Sequence, residues 1–336
     1  MFNLGIGKLR IASPSKIIER FIPNGLSHAV TSFVESLKIN TISEKRIGKR
    51  TVVVKQRNVY GERAAEVINF YFRTGGIPIR YVSNARQWGR WEVKCFMMLN
   101  GDRFRASIKD GRTAVFDKLP GKSLWDHMNA GTLTQKMLKA AGKEYRRAHQ
   151  FPVKELGGGW SHGDGSMTNM MYDSGSDRAR LIDFEIRHER SLPTRARHAD
   201  DLLVFLLDMV DRVPNRQWLP FATCFLRAYG EANVLRKLKE RLVVPHGLAA
   251  IWWNVRTNFA NNAKVKRRLE TLRRALRKLE LYRSAGIEPV RRKRRPSITW
   301  RRISAGMPIA KSRKRAIREM AKAVSPGIPR KFPITT

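Results

Sequence analysis

Between His162 and Glu185 the chain changes character every few residues, and few folds accommodate that rhythm. His162-Gly163-Asp164 leads to Asn169, and Met170 to Tyr172 is apolar. Asp173 to Asp177 reads DSGSD, Ala179 to Ile182 is largely apolar again, and Asp183-Phe184-Glu185 closes the run. Two strand-length segments around a set of turn formers make a β-hairpin. A hairpin returns its outer ends to one place, so Asn169 and Asp183 arrive side by side with Asp164 one short loop away. Magnesium takes hard oxygen ligands from one or two carboxylates together with phosphates. Phosphoryl transfer needs such ions, a cation on the phosphates, and a carboxylate near the attacking hydroxyl. Ordinary turn residues are the plain alternative for all three, and it leaves their ordered spacing to chance.

The rest of the chain frames this run. Arg50-Thr-Val-Val-Val-Lys-Gln-Arg57 is β-branched and reads as a buried strand. Residues 60–73 have a helical rhythm that stops at Gly75-Gly76, and Ile77 to Val82 is extended. Residues 87–99 are helical up to Asn100-Gly101. Asp110-Gly111, between strand-like runs at 104–108 and 113–119, signals a hairpin. A turn at Leu119-Pro-Gly-Lys-Ser-Leu124 opens a helix, residues 132–150 are helical, and Gly157-Gly158-Gly159 is a break. Beyond Glu185, residues 199–210 and 216–282 are helical; Val265, Leu269, Leu272, Leu276 and Leu279 form one apolar stripe among basic residues. That stripe either docks on the body or meets a membrane.

Strands precede helices, so the expected class is α+β, with a small β-rich lobe ahead of a larger helical one. The expected divisions are a polar, basic lead segment at 1–45 with short helices at 17–21 and 29–37, a strand lobe at 46–120, a helical lobe at 121–285, and a basic tail at 286–336.

With these pieces in place the chain resembles the protein-kinase-like superfamily. His162-Gly-Asp164-x4-Asn169 followed by Leu181-Ile-Asp183-Phe-Glu185 is similar to that superfamily's catalytic and metal-binding loops. These variants resemble bacterial lipopolysaccharide-core (Kdo and heptose) kinases, aminoglycoside and choline kinases, and the small atypical kinases of the tRNA threonylcarbamoyl machinery. The motifs lie within residues 162–185 and the looser layout within 50–230. The resemblance implies a bilobal kinase-like fold with ATP and Mg2+ as cofactors. It implies Asp164 as catalytic base, Asn169 and Asp183 as metal ligands, and His162 packed behind the loop.

Val52-Val-Val-Lys55 resembles the strand lysine that contacts ATP phosphates. Its usual partner is a helix glutamate: Glu92, with Glu66 as the rival. With Glu92, residues 60–85 become a helical insertion whose Phe70-Tyr-Phe72 and Arg73 touch a membrane or substrate, or simply pack. Lys118 to Gly121 resembles the hinge. Arg197-His-Ala-Asp200-Asp201 resembles the helix whose aspartate braces the catalytic loop, through either aspartate. The chain departs from the pattern at Ile47-Gly-Lys-Arg50, where no GxGxxG loop precedes Lys55. It departs again at Glu185, where protein kinases commonly carry glycine. The short step from Glu185 to Asp200 favours a small-molecule or glycolipid acceptor.

Charge bears on partners. Lys and Arg number 67 against 28 Asp and Glu, a formal charge of +39, and residues 291–336 hold fifteen Lys or Arg against Glu319 alone. Such a surface seeks phosphate, either an anionic membrane or glycolipid, or nucleic acid through the basic tail. With 42% hydrophobic residues the chain can bury a core. Cys95 and Cys224 are expected to be buried free thiols of a reducing compartment. Neither a secretory signal nor a spanning stretch is visible, so the expected location is cytoplasmic, or peripheral on the inner face of the membrane. Three functions are compatible with this reading. The first is a kinase for a membrane-associated sugar or glycolipid of lipopolysaccharide-core type. The others are a protein or tRNA-associated Ser/Thr kinase, and a non-catalytic pseudokinase scaffold.

Overall fold

The structure is a computed structural model. It describes residues 39–245 and 260–284, with Ala250, Trp253 and Thr257 between them. The expected helices at 17–21 and 29–37 and the basic tail lie outside the described residues.

Three consecutive valines and their β-branched neighbours make the strand expected at Lys55. β1 (Asn40–Ile47) and β2 (Arg50–Arg57) form a hairpin closed by Gly48-Lys49. Gly48 has φ +59°, as a two-residue hairpin turn demands at its first central position. β4 (Ala106–Asp110) and β5 (Thr113–Asp117) form the hairpin expected at Asp110-Gly111, and the four strands lie antiparallel in the order β1-β2-β5-β4. The sheet therefore starts at Asn40, earlier than the boundary at residue 46 read from the sequence. Polar, exposed β1 carries no apolar alternation to announce it.

Between β2 and the sheet's helix come α1 (Gly61–Thr74) and β3 (Ile79–Tyr81). α2 (Ala85–Asn100) follows, its first turn capped by Asn84, whose side chain accepts from Gln87 N. α2 packs under the sheet through Cys95, Phe96 and Leu99, and the Phe96 and Phe116 rings lie 5.2 Å apart.

The chain then crosses through β6 (Lys122–Ser123) to α3 (Leu124–Asn129), whose start is fixed by a reciprocal Ser123–Asp126 capping box. Gly121 has φ +91°, and a Cβ there would lie 1.8 Å from Tyr172 O, so only glycine lets the crossing lie this close to the hairpin beneath it. α4 (Gln135–His149) and α6 (Asn215–Tyr229) touch at Gly142, where a Cβ would stand 2.3 Å from Phe225 O. α5 (Thr194–Arg212), which lies between them in the sequence, is buried along most of its length. The helix expected at 199–210 starts five residues earlier.

α7 (Ala232–Arg241) and α8 (Asn262–Ser284) complete the described helices, so the expected helical stretch 216–282 is interrupted. Val265, Leu269, Leu272 and Leu276 are at most 2% exposed; the α8 stripe docks on the body. Short pairings sit around the site: β7 (Pro152–Val153) with β8 (Gly158–Gly159), β9 (Met170–Asp173) with β10 (Arg178–Leu181) and β6, and β11 (Ile186–His188) with β3. The architecture is α+β, a small antiparallel-sheet lobe and a larger helical lobe. Cys95 is buried, whereas Cys224 is half-exposed on α6 beside Gln135 O, contrary to the expectation of two buried thiols.

Candidate active site

Residues 53, 55 and 57 share one face of β2, and that face looks toward α2. Arg57 lies over the Trp88 ring at 4.6 Å, and Lys55 ends among carboxylates. Its Nζ is 2.5 Å from Glu92 Oε1, bonded to Asp183 Oδ1, and 3.8 Å from Glu185 Oε2. Lys55 is 5% exposed and Glu92 1%. Burial favours the neutral amine, but the charges of Asp183, Glu92 and Glu185 outweigh it and hold the ammonium form well above its ordinary range. Glu92 also accepts the Phe184 N–H at 3.2 Å, so one glutamate joins β2, α2 and the turn after β10. Glu66 sits on the exposed side of α1.

Asp183 has φ +64°. A non-glycine residue there costs about 1–3 kcal/mol, and the bend aims the carboxylate from the end of β10 at Lys55. Burial raises its pKa, yet Lys55, His162 and Arg57 together hold it below the usual range. Glu185 is the counterpart: burial, with Asp183 and Glu92 adding to it against Lys55, pushes its carboxyl up to about 7. The Asn40 amide donates to Glu185, tying β1 to the same turn.

The loop from His162 to Asn169 is held to α5 through its backbone. Asp201, fully buried, accepts from His162 N at 2.8 Å, Gly163 N at 2.9 Å and His149 Nε2 at 3.1 Å. Burial works against its charge, but His188, His149 and His162 win and hold its pKa at about 2. Asp200 instead bonds Arg241 at 2.5 Å and His188 at 3.3 Å. Of the two aspartates the sequence left open, Asp201 touches the loop. His162 Nε2 meets Ile182 O at 2.9 Å. The Asn169 amide donates to both the carbonyl and the carboxylate of Asp164, each at 3.0 Å. Ile182 N donates to Asn169 O at 3.0 Å, closing the β9–β10 hairpin as its spacing predicts.

Lys55, Glu92 and Asp183 line a cleft of about 260 Å³ between the sheet and the hairpin, whereas Asp164 and Asn169 are not among its lining residues. Val53, Phe96, Phe116, Leu119, Met171 and Ile182 give it apolar walls; Lys55, Glu92 and Asp183, with Glu44, Asp117 and Lys118, are its charged lining. Such a space suits a flat ring with an anionic extension. The carboxylate of Asp183 and the amide oxygen of Asn169 are the hard donors that magnesium takes, so this donor set fits the ion. Glu92, Asp183 and Glu185 also place oxygens within 4.8 Å of one another, but Lys55 already serves as their counterion.

Two neighbours of Asp164 were not foreseen. Tyr81 reaches the site from β3: burial, with the charges of Glu185, Asp164 and Asp183, pushes its phenol well up, so it stays a proton donor beside carboxylates. Its placement depends on β3 pairing with β11, which no local pattern encodes. Asp208 accepts Met167 N at 2.6 Å, and burial together with Asp164 pushes its pKa up to about 7. Here a signal existed: Asp208 lies seven residues after Asp201, two turns along the same helix face.

No protein-family model and no curated protein matches the chain. Among solved structures it is similar to an ethanolamine kinase of Plasmodium vivax, with 10% identity over 73% of this chain and 81% of that one, at a TM-score of 0.40. An ADP-bound aminoglycoside phosphotransferase matches at 11% identity over 75% of this chain and 97% of that one, at a TM-score of 0.36. A Mycobacterium tuberculosis protein in complex with erythromycin matches at 12% identity over 61% and 66%, at a TM-score of 0.33. At these scores the functional reading rests on the geometry of the site alone.

Proposed function

We propose that this chain is an ATP-dependent phosphotransferase that moves a phosphoryl group onto a hydroxyl of a membrane-associated sugar or glycolipid. The observation that carries the reading is Lys55, buried between Glu92 and Asp183 at the charged part of an apolar cleft. The apolar walls take the base, and Lys55 meets the phosphates. Asn169 and Asp183 hold magnesium, which neutralises charge on the transferred group when bound. Asp164, its carboxylate held by the Asn169 amide, orients the acceptor hydroxyl and takes its proton. In this reading the buried Tyr81 phenol, which feels the charges of Glu185, Asp164 and Asp183, hydrogen-bonds the acceptor.

Two observations support a small or glycolipid acceptor. Only residues 186–193 separate Glu185 from α5, and three of them are fixed as β11 against β3. That leaves no long exchangeable loop for docking a protein chain. The +39 charge favours an acceptor at an anionic surface, with about 1 kcal/mol for each well-placed basic residue.

The test is transfer of labelled phosphate from Mg-ATP to a cell-envelope glycolipid fraction, with protein and RNA fractions in parallel. Label is expected in the glycolipid arm and is expected to vanish in Asp164→Ala and Asp183→Ala. Label in the protein or RNA arm instead transfers the reading to that acceptor class. ATP binding with no transfer to any fraction leaves a nucleotide-binding scaffold.

A further inference from the structure

Among the described residues, nine large apolar side chains remain exposed, and five of them fall between Val59 and Tyr71. Val59 and Tyr60 are 74% and 75% exposed at the entry to α1, Phe70 is 57% exposed, and Val67 and Tyr71 complete the patch. On α1 the set 63, 67, 70, 71 and 74 recurs at three- and four-residue steps, so it is one face of the helix. The opposite face buries Ala65, and packs Ala64 and Ile68 with Ile39, Phe72 and Tyr81. The helix thus leaves Val67, Phe70 and Tyr71 on its outer face, unlike a helix whose outer face meets only water.

The rim of this face is basic. Arg63 and Arg73 are exposed on the helix itself. Arg112 donates to the carbonyls of Asn58 at 3.2 Å and Val59 at 3.5 Å, which puts its guanidinium beside the apolar knob. Glu66 is the acidic residue on the exposed side, and Glu62 faces Arg112 at 4.0 Å. Tyr and Phe with arginine around them are the composition of helices that lie in the headgroup layer. A second copy of this chain fits less well, because symmetric contact would set like-charged rims against each other.

The same helix is coupled to the site. Phe72 stacks on Tyr81 at 6.1 Å and 9° between ring planes, and Asn69 bonds Tyr81 through both N (2.7 Å) and O (3.0 Å). β3 then pairs with β11 just past Asp183. We infer that α1 is a membrane-docking helix, seating its exposed apolar face in the headgroup layer of an anionic bilayer so that an acceptor hydroxyl is presented to Asp164 from the bilayer surface. The acceptor half of this inference rests on the phosphotransferase reading; the docking half does not.

The test uses the full chain and vesicles of phosphatidylcholine, alone or mixed with phosphatidylglycerol. Co-sedimentation is expected with the anionic vesicles, falling about tenfold or more in Val67→Asp/Phe70→Asp and in Arg63→Glu/Arg73→Glu. Both pairs are surface changes, and Mg-ADP binding, read as a thermal shift, should stay at the wild-type level. In a Cys224→Ser background, Phe70→Cys carrying an environment-sensitive dye should shift to the blue on anionic vesicles. Undiminished sedimentation of Val67→Asp/Phe70→Asp, or an unshifted dye, overturns the inference: attachment then comes from basic residues elsewhere. A lipid-free dimer that Val67→Asp/Phe70→Asp dissolves overturns it in favour of a second copy. Vesicle docking without Mg-ATP binding would support the docking helix and sink the phosphotransferase reading, so the two failures are distinguishable.

Discussion

Replacing Asp201 by Asn tests the frame of the site most directly. The carboxylate accepts from the backbone of His162 and Gly163 and from His149, at 2.8–3.1 Å, with none of its surface exposed. An amide keeps one acceptor oxygen and turns two donor hydrogens toward groups that are themselves donors. One buried N–H is orphaned, at about 1–3 kcal/mol, and the remaining bonds lose their charged acceptor, about 1 kcal/mol more. The expected loss is on the order of 2–4 kcal/mol, a large part of a domain's usual stability.

The pKa gives an independent measure. Asp201 is held at about 2, below its ordinary 3.8; stability from a depressed carboxyl is present above the unfolded value and lost as pH falls through the folded one. The gap between wild type and Asp201→Asn should therefore be flat from about pH 5 to 8 and narrow below about pH 4. Urea unfolding at each pH reads both numbers, and turnover should fall with stability because Asp164 follows the two residues that Asp201 grips. Asp200→Asn is the control: it loosens Arg241 and His188, costs stability, and spares turnover in the protein that stays folded. An Asp201→Asn protein within about 1 kcal/mol of wild type, or a gap that persists in acid, would refute the brace.

Three further outcomes are expected. Lys55→Met leaves Glu92, Asp183 and Glu185 with their oxygens within 4.8 Å and without the cation bonded to them. Phosphoryl transfer should disappear, and urea unfolding should show a loss of about 3–5 kcal/mol at pH 8 that shrinks at pH 5, where carboxylates take up protons; equal stability at pH 8 would contradict the cage. Gly121→Ala forces a Cβ to 1.8 Å from Tyr172 O at φ +91°, so its chemical denaturation midpoint should report about 3 kcal/mol or more of destabilisation. Asp208 at about 7 takes up a proton on folding between roughly pH 4 and 7, so its contribution to stability falls as pH rises through that window. Asp208→Asn should remove that slope and be more stable than wild type at pH 8, by on the order of 2–4 kcal/mol in thermal or urea unfolding.

What was legible in the sequence was local. Valines 52–54 announce β2, Asp110-Gly111 announces the β4–β5 hairpin, and the DSGSD turn announces the pairing that sets Asn169 beside Ile182. The order helix, hairpin, hinge-like turn favoured Glu92 over Glu66 as the partner of Lys55. Pairings between distant segments were not legible. β1 is a strand because β2 beside it supplies the apolar face, so its own residues stay polar. β3 is three residues long, and its partner β11 lies more than 100 residues away. Tyr81 therefore enters the site through a contact that no window of sequence contains. The choice between Asp200 and Asp201 depended on helix phase to within one residue, finer than any periodicity resolves.

The same long-range contacts constrain how the site is controlled. Residues 182–188 are held from four directions. Glu92 of α2 accepts Phe184 N, and Asn40 of β1 donates to Glu185. Val82 N donates to Glu185 O at 3.0 Å, and β3 pairs with β11 along three residues. A segment gripped this way cannot swing out without breaking bonds to three elements of the small lobe at once. Each such bond is worth about 1 kcal/mol net, more where a charge accepts. An activation-loop switch is thus disfavoured at this position, and Tyr81 is tied to α1 through Phe72 and Asn69 within the same grip. It follows that Tyr81→Phe, which keeps the ring stack and deletes only the hydroxyl, should alter acceptor KM or kcat while leaving stability within about 1 kcal/mol and nucleotide binding unchanged. Identical kinetics in Tyr81→Phe would mean that the phenol takes no part in receiving the acceptor.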